Sequence, residues 1–339
     1  MRKRFVPVLL VAVLLALMGC SSATRGQPQP VPAPDYPGYL PDEARQTLAY
    51  LDTLRALDIC GYLDGAVLAT FGPVSYVGAD GEYQSCIARY PNDAARQGIS
   101  KVEVSIGAAP SPGWGTTIDI AGTSVAYNDA GGEFCTASTR FDERQLISWS
   151  VFSAVLGEPV DLCSETIEIA TASIPLLKTR PLRVGSTAKN VDTKLARLDG
   201  CAAIAAFVAP EQAHKAAVLT RVPWGCGWMA DYYQSGSLVA VSFLHGEDTL
   251  IAPISRGEIA TEVGGFPARV IPSTTRRYPG VCQLWIGVDA VRPDPEKRRG
   301  EHDSSARMIE LIRVSLEHGG CDLATQIGTE LVRLYKLLP

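Results

Sequence analysis

Residues 54–60 read LRALDIC and residues 195–201 read LARLDGC, so the chain contains nearly the same seven letters twice, 141 positions apart. Each stretch ends in a cysteine that opens a set of four. The gaps between cysteines are 26, 49 and 28 residues in the first set and 25, 56 and 39 in the second. The flanking sequences also repeat, since VEVSIG (102–107) is similar to VAVSFL (239–244). A repeat of this length exceeds the roughly 20–50 residues of a solenoid unit, so the sequence predicts a tandem duplication of one domain.

The N-terminus has the pattern of a lipoprotein signal peptide. Met1–Arg4 is positively charged, and the apolar stretch Phe5–Leu17 is too short to span a bilayer. It ends in LMGC at 17–20, which resembles the lipobox of bacterial lipoproteins, in which the cysteine becomes the first mature residue and carries acyl chains such as palmitate. We therefore expect a signal peptide over 1–19, lipidation of Cys20 and a lipid anchor on the extracytoplasmic face of the cell membrane. The alternative is an ordinary cleaved signal peptide.

The eight cysteines beyond Cys20 predict disulfide bonds, because their number is even and the chain has an export signal. Structural zinc sites cluster their cysteines as C-x-x-C pairs, whereas neighbouring cysteines here stand 25 or more residues apart. If each copy closes its own bridges in the same way, three schemes remain, and we favour first with second and third with fourth. Each bridge would stabilise its copy by about 3–4 kcal/mol in the chain-entropy model. The favoured pairs are Cys60–Cys86, Cys135–Cys163, Cys201–Cys226 and Cys282–Cys321.

The remaining chain divides into a tether and two copies. Residues 20–41 contain six prolines among polar residues, and such a composition favours extended chain over a buried core. We expect a Pro-rich tether over 20–41, copy one over 42–180 and copy two over 185–339. The charged segment at 293–305 has no counterpart in copy one and accounts for the longer final gap.

The apolar spacing predicts a helix, several strands and a second helix in each copy. Leu54 and Leu57 continue a helix that begins near Pro41, and Leu195 with Leu198 predicts its counterpart. Short β segments separated by hairpin-length turns follow, which favours an antiparallel sheet. Two apolar stripes predict the last helices: Cys163, Ile167, Ala170, Ile174 and Leu177 in copy one, and Leu323, Ile327, Leu331 and Leu334 in copy two. The predicted fold class is α+β, with two similar domains, each an antiparallel sheet flanked by N- and C-terminal helices.

The cysteine motifs carry a family resemblance. Asp58 and Asp199 stand two residues before their cysteines, with Ile59 and Gly200 between, and 226–228 reads CGW, whereas 86–88 reads CIA. This order resembles the Asp-Pro-Cys and Cys-x-Trp pattern of small secreted lipoproteins of unknown function from high-GC Gram-positive bacteria. The resemblance implies an α/β/α sandwich similar to PsbP-like domains and to the disulfide-bonded sensor domains of some membrane Ser/Thr kinases. It implies no catalytic residues.

One aromatic cluster is the strongest candidate for ligand binding. Trp224, Trp228 and Tyr232 share a face of a predicted strand through its two-residue period, so a sugar or a lipid could stack on them. The alternative is that both tryptophans pack around Cys226 inside the core.

Charge and motifs limit the function. The formal charge of −5 and the pI near 5.5 argue against a nucleic-acid partner. The four histidines are scattered, and no H-E-x-x-H, G-x-S-x-G, Walker loop or G-x-G-x-x-G occurs. We expect a non-enzymatic, lipid-anchored envelope protein, without metal or cofactor, that binds an envelope lipid, glycan or protein partner. The alternatives are a hydrolase with unrecognised residues, for which Asp119 and Glu133 are candidate carboxylates, and a purely structural lipoprotein.

Overall fold

The structure is a computed structural model, and it describes most of the chain beyond the predicted tether. The described residues are 36, 38–91, 98–108, 115–154, 161–205, 217–218, 223–229, 238–253, 257–272, 280–289, 308–318 and 320–339. The predicted signal peptide, the lipidated Cys20, Tyr232 and the charged segment at 293–305 lie outside them. Within these ranges no helix has both the length and the apolar character needed to cross a membrane.

Two seven-stranded sheets carry the fold, one before and one after a linker that we define as residues 179–194. We call the parts on either side half one and half two. The first sheet contains β1 Tyr76–Gly78, β2 Ser85–Arg89, β3 Ile99–Ala108, β4 Thr116–Ile120, β5 Thr123–Asp129, β6 Phe134–Arg140 and β7 Gln145–Ser153. The second contains β8 Ala217–Val218, β9 Gly225–Met229, β10 Leu238–Glu247, β11 Ile259–Val263, β12 Phe266–Pro272, β13 Cys282–Val288 and β14 Met308–Leu316.

The two sheets have the same strand order. Neighbouring strands run β1-β2-β3-β7-β6-β5-β4 in half one and β8-β9-β10-β14-β13-β12-β11 in half two. Every pairing is antiparallel. The fold class is therefore α+β with two similar sheet-bearing halves, as the repeated cysteine spacing predicts.

Alternation along the strands fixes which face of each sheet is buried. In β7, Ile147, Trp149 and Val151 are fully buried, whereas Ser148 and Ser150 point to the opposite face and are partly exposed. This two-residue period places the apolar side chains on one side of the sheet, where the helices pack. One apolar core continues through the described residues of both halves, and a smaller cluster of Leu244, Ile251, Ile309 and Leu311 lies apart from it in half two.

The opening helix, Asp42–Arg55, lies within the helix predicted from near Pro41. Tyr36 and Leu40, at 9 % and 2 % exposed, are also buried, and the Tyr36 hydroxyl donates to Asp52 at 3.0 Å. The folded part therefore begins before residue 42. The predicted tether over 20–41 is too long at its C-terminal end, because these two side chains find partners in the core.

Among its described residues, half two has no full counterpart of the opening helix. The helix predicted from Leu195 and Leu198 is reduced to the 3-10 turn Leu195–Arg197, and the short helix Gly200–Ala205 follows. The preceding linker is held to half one by two isolated β-bridges, Leu57 with Leu182 and Gly78 with Lys189. Because the linker backbone pairs with half one at these two points, it does not form a helix there.

The closing helices are Leu162–Ser173 in half one and Gly320–Leu337 in half two. Ile327 and Leu331 are buried, as their spacing predicts. Of the stripe predicted for half one, Ala170 is buried and Cys163, Ile174 and Leu177 pack partly buried against the core, whereas Ile167 does not belong to it. The buried residues of the helix itself are Leu162, Glu165, Thr166, Ile169, Ala170 and Ser173. Thr166 rather than Ile167 faces the sheet, where its hydroxyl donates to the carbonyl oxygen of Cys135 at 3.2 Å.

Four disulfides tie the elements together, and they are the pairs that the spacing favoured. In each half the first bond joins the turn or short helix after the repeated stretch to β2 or β9, and the second joins β6 or β13 to the closing helix. The Cα–Cα distances lie between 5.0 and 5.2 Å, within the usual range. The bonds are Cys60–Cys86, Cys135–Cys163, Cys201–Cys226 and Cys282–Cys321.

The repeated stretch has one local role in both halves. Asp58 accepts a hydrogen bond from the backbone N–H of Cys60 at 2.9 Å, and Asp199 accepts one from that of Cys201 at 3.0 Å. A short acidic side chain is a favoured partner for the free N–H groups that begin a helical turn. The aspartate therefore fixes the turn that presents the first cysteine to its partner.

Candidate functional site

The predicted aromatic site does not form a ligand surface. Trp224 and Trp228 are 1 % and 2 % exposed, so a sugar or lipid cannot stack on them from solvent. On β9, Cys226 and Trp228 stand two positions apart, so both side chains point into the core. The ring centre of Trp224 lies 4.6 Å from the guanidinium of Arg183. The packing alternative is correct for both tryptophans, and Tyr232 lies outside the described residues.

Arg183 fastens the linker to half one. It is 3 % exposed and donates to three backbone carbonyl oxygens, those of Arg55 at 3.1 Å, Val191 at 2.6 Å and Leu57 at 3.2 Å. Its guanidinium also lies 5.7 Å from the ring centre of Tyr83. Burial lowers the pKa of Arg183 to about 10, so it stays charged at neutral pH. These bonds hold the linker against half one in a fixed course.

A cleft of about 260 Å³ opens where the linker meets half two. The Tyr83 side chain of half one is buried beside it. The two halves and the linker therefore meet at one place. The lining residues are Asn190, Thr193, Lys194, His245, Asp289, Met308, Ile309 and Glu310.

Sheet pairing explains why the polar residues of half two converge. β14 lies between β10 and β13, and Glu310 is paired with His245 on one side and with Val288 on the other. Asp289 follows Val288 directly, at the mouth of the cleft. Its φ of 64° is in the left-handed region, which is uncommon for a residue other than glycine. The turn after β13 therefore places this carboxylate beside Glu310.

Glu310 and Asp289 form a carboxyl pair with two tyrosine hydroxyls. Glu310 is 8 % exposed and accepts a hydrogen bond from Tyr83, while Asp289 is exposed and accepts one from Tyr335 at 2.8 Å. Burial raises the pKa of Glu310, and the Asp289 carboxylate raises it further, whereas the hydroxyls of Thr193 and Tyr83 lower it. Burial and the nearby Glu310 also raise the pKa of Tyr83. Burial therefore favours the protonated form of Glu310 more than it would for an exposed glutamate.

His245 is a neutral member of this site. Its side chain is 5 % exposed, its ring centre lies 4.6 Å from that of Tyr83, and its Nε2 is 3.0 Å from the backbone oxygen of Asn190. Burial lowers its pKa to about 4, so the imidazole carries no charge at neutral pH and Nε2 is the donor to Asn190.

Lys194 supplies the cleft with a positive charge. Its Nζ lies 5.1 Å from the ring centre of Tyr335, on the closing helix of half two. Among the described residues, no ion pair joins Lys194 or Asp289 to any other side chain. Tyr335 thus contacts both charged groups: its ring lies near the Lys194 ammonium, and its hydroxyl donates to the Asp289 carboxylate.

The other residues considered from the sequence lie elsewhere. Asp119 caps a turn on exposed β4, where it accepts from the backbone N–H of Gly122 at 3.0 Å, and Glu133 is exposed in the turn before β6. Neither lines the cleft. Sequence reasoning missed Glu310 and Asp289, which belong to an apolar strand and a turn with no motif. The one available signal was the acid within MIELIRVSL (308–316), a segment otherwise apolar enough to be buried on both faces.

Comparison of the chain with protein families, curated proteins and solved structures finds no match in any of the three.

Proposed function

We propose that the chain is a lipid-anchored, extracytoplasmic envelope protein that binds a small polar envelope ligand in the cleft and does not catalyse a reaction. The observation that carries this proposal is the cleft itself, built from the linker and three strand ends of half two. A concave site with a few converging polar groups and shifted pKa values is the usual starting hypothesis for a binding site. The lipid anchor rests on the LMGC sequence at 17–20.

An envelope hydrolase is a second candidate, and Glu310 favours it. A buried carboxyl with a raised pKa next to a histidine is a common general acid. The hydrogen bonds support binding instead. Glu310 is engaged by Tyr83 and His245 by the backbone of Asn190, so each has a protein partner where a substrate would have to be.

Purification of the full-length protein from detergent-solubilised envelope, followed by mass spectrometry of retained molecules, tests the proposal. We expect one small polar molecule to be retained by wild type, to be lost in Asp289→Asn and to persist in the control Asp322→Asn, which changes an exposed acid on the closing helix of half two. Retention of a lipid or protein that is unaffected by Asp289→Asn would contradict the cleft as the site. Retention of nothing would favour the structural alternative.

Two further measurements test the location and the absence of catalysis. Cys20→Ala should move the protein from the membrane fraction to the soluble extracytoplasmic fraction, since the acyl chains supply the anchor. Incubation of the retained molecule with wild type should leave it intact. Its conversion by wild type but not by Glu310→Gln would establish the hydrolase instead.

A further inference from the structure

The charges at the cleft mouth are opposite and held apart. Lys194 and Asp289 form no ion pair with each other, although both contact Tyr335, one at the ring and one at the hydroxyl. An exposed ion pair between them would add little to the stability of the fold. Here both charged groups instead contact the Tyr335 side chain and line one cleft.

The floor of the cleft is formed by buried groups. Burial raises the pKa of Glu310 and lowers that of His245 to about 4, which in each case favours the uncharged form. Asn190 and Thr193 are uncharged. The buried Arg183 guanidinium donates to three carbonyl oxygens, and it lies 5.7 Å from the ring centre of Tyr83. Of the residues with charged side chains that line the cleft, Lys194 is half-buried and Asp289 is exposed, whereas Glu310 is buried.

We propose that the cleft binds a small zwitterion, a molecule that carries an ammonium group and a carboxylate on a short chain. This inference rests on the proposed function and names the class of its ligand. The ligand carboxylate contacts Lys194 and the ligand ammonium contacts Asp289. Complementary potentials favour such a ligand over a singly charged one, which would leave one protein charge desolvated and unpaired.

The size of the cleft agrees with this class. Its volume of about 260 Å³ lies just below the roughly 300–1,000 Å³ of sites for drug-sized ligands. It therefore suits a molecule of amino-acid size rather than a lipid or an oligosaccharide. Met308, which is 48 % exposed, supplies an apolar wall for the short chain between the two charged groups.

Isothermal titration calorimetry with matched probes tests the inference. The zwitterionic probes are glycine, β-alanine and 4-aminobutyrate, which separate the two charges by increasing lengths. Butyrate and butylammonium are the singly charged controls. We expect at least one zwitterion to bind about tenfold or more tightly than both controls, a difference of about 1.4 kcal/mol.

Variants assign the two contacts. Lys194→Met keeps the apolar stem and removes the charge, while Asp289→Asn keeps a side chain that tolerates the left-handed backbone. Each should weaken zwitterion binding by about tenfold or more. The matched control is Lys189→Met, since Lys189 lies on the same linker with its Nζ 5.6 Å from the ring centre of Tyr76 and does not line the cleft. It should leave the affinity unchanged.

The failures of this inference and of the proposed function are distinguishable. The zwitterion inference is overturned if none of the three zwitterions binds, if a singly charged control binds as tightly, or if Lys194→Met has no effect. The proposed function survives those results if the full-length protein still retains another small molecule that Asp289→Asn releases. If no molecule is retained either, both are overturned.

Discussion

The Tyr83 hydroxyl of half one donates a hydrogen bond to the Glu310 carboxyl of half two, across 227 positions of sequence. The same hydroxyl is 3.1 Å from Thr193 Oγ1 in the linker. One buried phenol therefore joins all three parts of the folded chain. Its ring is also covered by His245 on one strand and by Arg183 in the linker.

Removal of this hydroxyl should weaken the junction. Tyr83→Phe keeps the ring and removes one of the two hydroxyls that hydrogen-bond the buried Glu310 carboxyl, so we expect the free energy of unfolding to fall by about 1–3 kcal/mol. Urea denaturation followed by fluorescence measures it. The control is Tyr127→Phe on β5, far along the first sheet, which should change stability little. Equal effects of the two variants would contradict the importance of the junction bond.

Glu310 should make stability depend on pH. Its pKa is raised in the folded protein above the ordinary 4.5 by burial. A proton held more tightly in the folded state contributes stability that is fully present below the unfolded pKa and is lost as pH rises through the folded pKa. Above pH 4.5 wild type should therefore lose stability relative to Glu310→Gln, which cannot ionise. Melting temperatures between about pH 4 and pH 9 check this. The exposed Glu317→Gln serves as control, and parallel curves for wild type and Glu310→Gln would refute the prediction.

Titration of His245 should make the stability of the fold change with pH in the opposite direction. Burial lowers its pKa from 6.5 to about 4, so its contribution is fully present above pH 6.5 and is lost as pH falls from 6.5 towards 4. His245→Gln keeps a donor for Asn190 and removes the titration. Its stability should change less than that of wild type across this interval, whereas the exposed control His318→Gln should follow wild type. NMR titration of the imidazole gives an independent check, and a His245 pKa near 6.5 would contradict the buried neutral state.

Arg183 should be the most sensitive residue of the linker. Arg183→Met removes donors to three buried carbonyl oxygens, and we expect a loss of about 3 kcal/mol or more. Arg183→Lys should recover little, because an ammonium cannot reproduce the planar fork of donors. Arg180→Met changes an exposed arginine of the same linker and serves as control. A loss below about 1 kcal/mol for Arg183→Met would show that the linker is held by other contacts.

The disulfide pairs should be recovered chemically. Peptide mapping without reduction should yield Cys60 linked to Cys86 and Cys282 linked to Cys321, with the corresponding pairs in each half. A peptide joining Cys60 to Cys163, or a cysteine of half one to one of half two, would contradict both the structure and the duplication. Reduction of the protein followed by remapping provides the control.

The sequence by itself determined the features that depend on neighbours along the chain. The repeated LRALDIC and LARLDGC, with the matching cysteine gaps, indicated two similar halves, and the two-residue and helical periods indicated α+β elements within each. These patterns are local, so they can be recognised in the sequence without knowledge of the fold. One local prediction still failed: the helix expected at Leu195 is only a 3-10 turn, because the preceding linker pairs with half one.

The tertiary structure alone decided the cleft. Tyr83, Thr193, His245, Asp289 and Glu310 are far apart in sequence and match no motif, and the strand order with the course of the linker brings them together. It also decided that Trp224 and Trp228 are core residues, since a strand's period gives a shared face but not which face is covered. Burial and approach between distant groups set the pKa of Glu310 and the separation of Lys194 from Asp289. Both are properties of three-dimensional distance, which a linear pattern does not contain.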